Sequence, residues 1–303
     1  MNTAMAKLRV RKRYNYAGLL YISPWIIGML VFQLYPFIAS LVYSFTTFSI
    51  LTPPKFVGLQ NFIRIFTNDK IFYQSLKVTL IYVFIAVPAK LAFALFIAMV
   101  LNIKIKYVNF YRTIYYMPSI LGGSVAVSIL WKFLFARQGL INQLLLDIGL
   151  PYVDWLGSPK WALYTISLLT VWQFGSSMVI FLAGLKQIPG ELYDAAKVDG
   201  AGRIRTFLNI TLPLITPMIF FNLIMQMVNA FQQFTAAFVI TNGGPMKSTY
   251  LYGVMIYENA FNFFKMGYAS ALSWVLFVIM MAFTAMVFKS SPFWTHYEDG
   301  GEF

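Results

Sequence analysis

Six apolar stretches, about 18–45, 78–102, 113–135, 161–185, 214–238 and 268–288, divide this 303-residue chain into segments each able to cross a bilayer. A helical crossing takes ~20 consecutive apolar residues. Backbone inside hydrocarbon must satisfy its own hydrogen bonds, which leaves helices or a closed barrel, and long apolar runs without alternation select helices. With 59% hydrophobic and only 11% charged residues, the chain lies outside the range of soluble domains. The expected fold is all-α: a polytopic integral membrane protein of six transmembrane helices, forming one domain over 1–303. A basic start before an apolar run also fits a secretory signal peptide. The first run, however, exceeds the ~7–15 apolar residues of such a peptide and is expected to remain as a span.

Six crossings place both termini on one side. Lysine and arginine on that side number 13: Lys7, Arg9, Arg11, Lys12 and Arg13 before the first span, then Lys104, Lys106, Arg112, Lys186, Lys197, Arg203, Arg205 and Lys289. The opposite side holds 9, from Lys55 and Arg64 to Lys247 and Lys265. Positive residues favour the cytoplasmic side. An arm of about 1–17, the polar loop 186–213 and a tail of 289–303 are therefore expected in the cytoplasm. The formal charge of +13 borders the apolar segments instead of striping a soluble domain, so lipid is the expected partner and nucleic acid is not.

The polar inventory excludes most chemistry. There is no cysteine, the one histidine is His296 in the tail, and no G-x-x-x-x-G-K-[ST] phosphate loop occurs. All ten carboxylates, Asp69, Asp147, Asp154, Glu191, Asp194, Asp199, Glu258, Glu298, Asp299 and Glu302, fall outside the spans. Neither nucleophilic nor metal catalysis has its parts, so no catalytic and no metal residue is expected and the chain is not an enzyme. An ion-coupled secondary carrier stands as an alternative of a different class, but it lacks the mid-depth carboxylate or histidine that usually carries the proton.

Candidate passage residues are those whose polarity is costly in hydrocarbon. Lys90, two residues after Pro88 in the second span, reads either as a charge facing a hydrated passage or as a cation held by freed carbonyls or a partner. Asn222, Gln226, Asn229 and Gln233 recur at steps of four, three and four, one stripe of a helix. Facing lipid they would lack partners; facing a passage they both donate and accept, as sugar hydroxyls require; facing another helix they would bond to it. Trp172, Gln173, Ser176 and Ser177 in the fourth span, with Tyr115, Tyr116 and Ser119 in the third, add stacking and hydroxyl groups, although Tyr and Trp also gather at membrane interfaces. Pro24, Pro36, Pro88 and Pro118 are expected to kink their spans.

The loop after the fourth span is richer than a simple turn. Pro189 and Gly190 open it, Glu191 and Asp194 are acids in a first turn, Ala195 and Ala196 are expected as small surface residues, Gly200 and Gly202 bend it, and Pro213 and Pro217 close it. Such start and stop signals predict a short helix, a bend and a second short helix. Asp194-Ala195-Ala196, Gly200 and Ile210-Thr211-Leu212-Pro213 resemble the EAA loop of ABC importer permeases, with Asp194 where that family has glutamate. Phe56-Val57-Gly58-Leu59-Gln60-Asn61-Phe62, Gly139-Leu140-Ile141-Asn142 with Trp155-Leu156, Thr241-Asn242-Gly243-Gly244-Pro245, and Gly267-Tyr268-Ala269-Ser270-Ala271 resemble the outer loops of its maltose and multiple-sugar branch.

The resemblance implies a type I importer with a cytoplasmic coupling helix, in which Glu191, Asp194, Ala195, Ala196 and Gly200 meet the ATPase. It further implies residence in a prokaryotic cytoplasmic membrane, a second homologous permease, two ATPase subunits that hold ATP and Mg2+, an extracytoplasmic solute-binding protein, and a carbohydrate, expected to be an oligosaccharide. No cofactor belongs to this chain. A same-class alternative stays open, an importer for an anionic substrate such as a glycerol phosphate or acidic oligosaccharide, and so does a further rival, a purely structural scaffold subunit whose partner makes all the substrate contacts.

Overall fold

The computed structural model describes residues 17–103 and 106–296. The basic arm before residue 17, Lys104 and the three tail carboxylates lie outside the described residues. Among those described the chain is helical, with two isolated β-bridges, Thr46 with Phe56 and Ser49 with Thr52. In order the helices are α1 (Ala17–Met29), α2 (Tyr35–Ser44), α3 (Gln60–Thr67), α4 (Lys70–Asn102), α5 (Val108–Leu121), α6 (Val125–Leu134), α7 (Leu140–Asp147), α8 (Ala162–Trp172), α9 (Gly175–Gln187), α10 (Gly190–Val198), α11 (Arg203–Thr206), α12 (Leu212–Leu214), α13 (Thr216–Phe231), α14 (Tyr252–Tyr257) and α15 (Met266–Ser290).

Three spans are long single helices, Leu20–Ser44, Lys70–Asn102 and Met266–Phe293. The other three are broken: α5 meets α6 at 102°, α8 meets α9 at 47°, and the segment Arg203–Leu214 meets α13 at 65°. Counting each bent pair as one span gives the six expected crossings. Two of the breaks do not fall at the prolines expected to kink their spans, whereas the third, at Ile215, lies between Pro213 and Pro217. Pro24, Pro88 and Pro118 lie inside α1, α4 and α5, while the chain turns at Gly122-Gly123-Ser124 and at Gln173-Phe174. Two other prolines have a visible accommodation. Leu30–Leu34 and Phe207–Thr211 are widened π turns that end two residues before Pro36 and Pro213. A proline lacks the N–H for an i−4 bond and its ring presses on that carbonyl; a widened turn relieves both demands.

Helix α4, at 33 residues and a rise of 1.5 Å each about 50 Å long, is the axis of the bundle. It packs against α8, α9, α13 and α14, while α15 packs along α2. Lipid removes most of the hydrophobic drive between membrane helices, so close packing by small residues takes its place. Ala86, Ala94 and Ala98 of α4 are fully buried and recur at multiples of four, making one face of that helix. Across the α9–α13 contact, a Cβ on Gly184 would come within 2.9 Å of Met218.

The end of the bundle marked by the start of α4 is tied by polar contacts. Asp69 caps α4, its Oδ1 accepting from the N–H groups of Ile71 and Phe72, and its Oδ2 accepts from the Tyr268 hydroxyl at 2.6 Å. Asn142, 1% exposed, holds the 136–155 loop: its amide nitrogen donates to the carbonyls of Ala136, Arg137 and Val153, and its oxygen accepts from Val153 N–H and the Trp155 indole. Tyr250 donates to Glu258 at 2.5 Å; burial, reinforced by that carboxylate, pushes the Tyr250 hydroxyl above the usual phenol range.

Candidate functional site

Where the broken spans meet α4 and α13 there is a cavity of about 220 Å³, lined by Tyr82, Val87, Lys90, Ser119, Thr170, Gln173, Ser176, Gln226, Asn229, Ala230 and Gln233. Nine of these eleven residues are polar: four amides, four hydroxyls and one ammonium. No carboxylate lines it. Lys90 and Tyr82 stand on the same four-residue stripe of α4 as Ala86, Ala94 and Ala98, so the face that packs most closely also carries the polar groups. Lys90 is 6% exposed, and its Nζ donates to Gln226 Oε1 at 2.8 Å. The Tyr82 hydroxyl lies 2.6 Å from Thr170 Oγ1 and accepts from Gln233 Nε2 at 3.5 Å.

A break in a membrane helix exposes backbone groups, which is tolerated only where protein or a hydrated cavity satisfies them. Ser119 of α5 does this for the fourth span. Its hydroxyl donates to the Gln173 carbonyl at 3.0 Å and accepts from Ser176 N–H at 2.9 Å. The Gln173 side chain in turn donates to the Gly122 carbonyl, at the break of the third span. A Cβ on Gly122 would come within 2.5 Å of that side chain, so glycine is what permits the approach. The two breaks are therefore stitched to each other at the cavity wall.

Of the amide stripe, Gln226, Asn229 and Gln233 reach the cavity and Asn222 does not. Asn222 is fully buried one turn nearer the start of α13; its Nδ2 donates to the Met218 carbonyl, and its Oδ1 has no partner among the described residues. Trp172 also lies off the cavity, with its ring 6.0 Å from that of Trp131; the break at Gln173 sends the two neighbours to different faces. Ser119 and Ser176 join the lining, whereas Ser177, Tyr115 and Tyr116 do not. Tyr82 and Thr170 were not singled out from the sequence. Tyr82 was accessible as a residue two four-residue steps before Lys90; a threonine in an apolar run carries no such signal.

The helix–bend–helix expected after the fourth span is present. Gly190–Val198 forms α10 with Glu191 in its first turn, and Asp194 pairs with Lys197 at 2.7 Å on the exposed face. Gly200 stops the helix at φ +69°. Its N–H donates to the Lys197 carbonyl and the Ala201 N–H to the Ala196 carbonyl, the paired bonds of a Schellman stop that needs a left-handed residue. Ala195 is exposed, but Ala196 is buried at 7%, which corrects the surface position expected for it: the i+1 neighbour on a helix turns 100° away, and here that is toward the bundle. Exposed apolar side chains complete the outer surface, Val198 at 88% and Ile204 at 77%. Tyr193 ties this unit to the start of the fifth span through a 3.1 Å bond with Thr211.

Broken membrane helices around a polar chamber, with a braced helix–bend–helix at one end, define the membrane subunit of a transport system. Residues 70–291 match the family of binding-protein-dependent transport system inner membrane components, and the chain belongs to that family. It is 51% identical over 302 residues to the probable ABC transporter permease protein YesP of Bacillus subtilis (strain 168), covering 99% of this chain and 98% of that protein. It is 36% identical over 276 residues to the sulfoquinovosyl glycerol transport system permease protein SmoG of Agrobacterium fabrum, covering 90% and 89%. The lactose transport system permease protein LacF of Rhizobium radiobacter is 35% identical over 280 residues, covering 90% and 93%. A chain of a bacterial ABC transporter involved in import of the acidic polysaccharide alginate superposes with a TM-score of 0.79 at 23% identity, over 92% of this chain and 96% of that one, a likeness of fold.

Proposed function

We propose that this chain is the membrane subunit of an ATP-driven, binding-protein-dependent importer that carries a carbohydrate, an oligosaccharide, across a prokaryotic cytoplasmic membrane. The observation that carries this reading is the mid-depth chamber of four amides and four hydroxyls between discontinuous helices, a set of donors and acceptors matched to sugar hydroxyls. Relatives named for lactose, sulfoquinovosyl glycerol and trehalose/maltose transport support it. The chamber's 220 Å³ is below the ~300–1,000 Å³ of a complete ligand site, which supports a second, homologous permease that supplies the facing half.

In this reading both termini are cytoplasmic. Of two ATPase subunits, with ATP and Mg2+, one grips the surface of Glu191, Asp194, Ala195 and Val198, while buried Ala196 seats that helix on the bundle and exposed Gly200 stops it at the left-handed bend. Closing the ATPase pair draws α10, and the Tyr193–Thr211 tie passes the displacement to the fifth span, which carries three of the amides. The passage then switches between inward- and outward-facing arrangements, a two-state change biased by nucleotide. Substrate arrives from an extracytoplasmic binding protein.

The test is uptake in cells carrying the full system. Depleting ATP while the ion gradients persist abolishes uptake, and collapsing the gradients with an ionophore at maintained ATP leaves it. The reverse outcome identifies an ion-coupled carrier and removes the importer reading.

A further inference from the structure

Lys90 is a cation near the middle of the longest helix, 6% exposed, on the wall of the polar chamber. The described residues give its Nζ one hydrogen bond, to the neutral Gln226 at 2.8 Å. An ammonium has three donors. The described carboxylates Asp69, Asp147, Asp154, Glu191, Asp194, Asp199 and Glu258 are absent from the chamber wall. A charge held in low dielectric against a neutral partner is stabilised by a counter-charge far more than by another dipole. The remaining polar wall that this chain supplies consists of amides and hydroxyls, which match the rest of a sugar and give the ammonium no counter-charge among the described residues.

We infer that Lys90 determines specificity for an acidic carbohydrate, receiving the carboxylate of a uronic-acid unit as it crosses the chamber. This rests on the carbohydrate-importer reading above and deepens it. One ammonium balances one monovalent anion, a condition that a phosphate dianion fails and that a carboxylate and a sulfonate both meet; of these two the carboxylate is the more basic and the stronger hydrogen-bond acceptor. An ammonium–carboxylate hydrogen bond is also the charge-assisted kind, shorter and stronger than the one to an amide. Gln226 then acts as the resting partner: it holds Nζ in place while the chamber is empty and yields to the carboxylate.

The experiment uses the complete importer, with partner permease, ATPases and binding protein, in proteoliposomes. The probes are 4-linked diuronates of gluco, manno and galacto configuration, each beside its carboxyl-reduced neutral form. The inference expects ATP-dependent uptake of at least one diuronate. In Lys90→Met the uptake of that diuronate falls at least tenfold further than uptake of its neutral form, and Lys90→Arg stays within threefold of the parent. Gln226→Glu is the second variant: it places a carboxylate against Lys90, pre-empts the substrate's, and reduces diuronate uptake in the same selective way. Diuronate uptake in Lys90→Met equal to the parent overturns the inference. So do equal losses on the acidic and neutral probes, which assign Lys90 to helix packing or to a partner's acid. Uptake of neutral forms alone overturns it while the importer reading stands, and ATP-independent uptake overturns both.

Discussion

Replacing Gly200 with valine is expected to loosen the coupling helix without disturbing the membrane bundle. Gly200 sits at φ +69°, and nothing lies within 4 Å of a Cβ built there, so the cost is conformational and not a clash. A left-handed residue with a Cβ costs about 1–2 kcal/mol, and a β-branched one lies at the upper end. That is a factor of about 5–30 in the local equilibrium between the stopped and frayed helix. The readout is hydrogen exchange at the two amides that close the stop, Gly200 N–H and Ala201 N–H, which should speed by that factor. Coupling is read in the assembled importer as substrate carried per ATP hydrolysed, which should fall while insertion and chamber residues stay as they were. Gly200→Asn, whose side chain tolerates the left-handed region, should recover most of both. Unchanged exchange together with undiminished uptake in Gly200→Val would refute the role assigned to the bend.

Alanine at Gln226, Asn229 and Gln233 together should alter which sugar is carried, measured by competition uptake, whereas Asn222→Leu, off the chamber, should leave selectivity as it was; no change in the triple variant would reduce the chain to a scaffold. Asn142→Ala removes the partner of three carbonyls, one N–H and one indole, and leaving buried groups unpaired costs about 1–3 kcal/mol each, so the 136–155 loop should become cleavable by added protease at a temperature where the parent resists. For Tyr250, whose pKa is raised in the fold, the native state holds the proton that the unfolded chain releases near pH 10. Its contribution is therefore intact below pH 10 and is lost as pH climbs toward the folded pKa, so Tyr250→Phe should flatten the alkaline fall in stability seen by thermal unfolding between pH 9 and about 11.

Hydropathy located the spans because it counts apolar residues, and the helix–bend–helix was legible because its stop and start residues are local chemistry: an acid in the first turn, a glycine at the only position with φ above zero in that segment. Two of the breaks were not read from the sequence, because a window long enough to find a span averages over the short polar stretches Gly122-Gly123-Ser124 and Gln173 to Ser177, and the prolines expected to kink those regions sit inside continuous helices. The third, at Ile215, falls between Pro213 and Pro217, which close the polar loop. The same limit governed the chamber. Periodicity put Asn222 and Gln226 on one stripe, but depth along α13, set by where α9 packs against it, decided that only the second reaches open space. Trp172 was a candidate by residue type alone, and because α8 ends at it, its neighbour Gln173 lines the chamber while its own ring lies beside Trp131. Ala196 shows the converse, since a motif names the residue without saying which side of a one-turn contact it supports.

The central claim is that α10 is a cytoplasmic lever gripped by an ATPase. The chain has no cysteine, so a single cysteine introduced at exposed Val198 reports cleanly with a membrane-impermeant maleimide. The account predicts labelling in inside-out vesicles stripped of the ATPase, none from the outside of intact cells, and protection when the ATPase subunits are added back. Labelling from the outside, or labelling that the bound ATPase leaves unchanged, would contradict it.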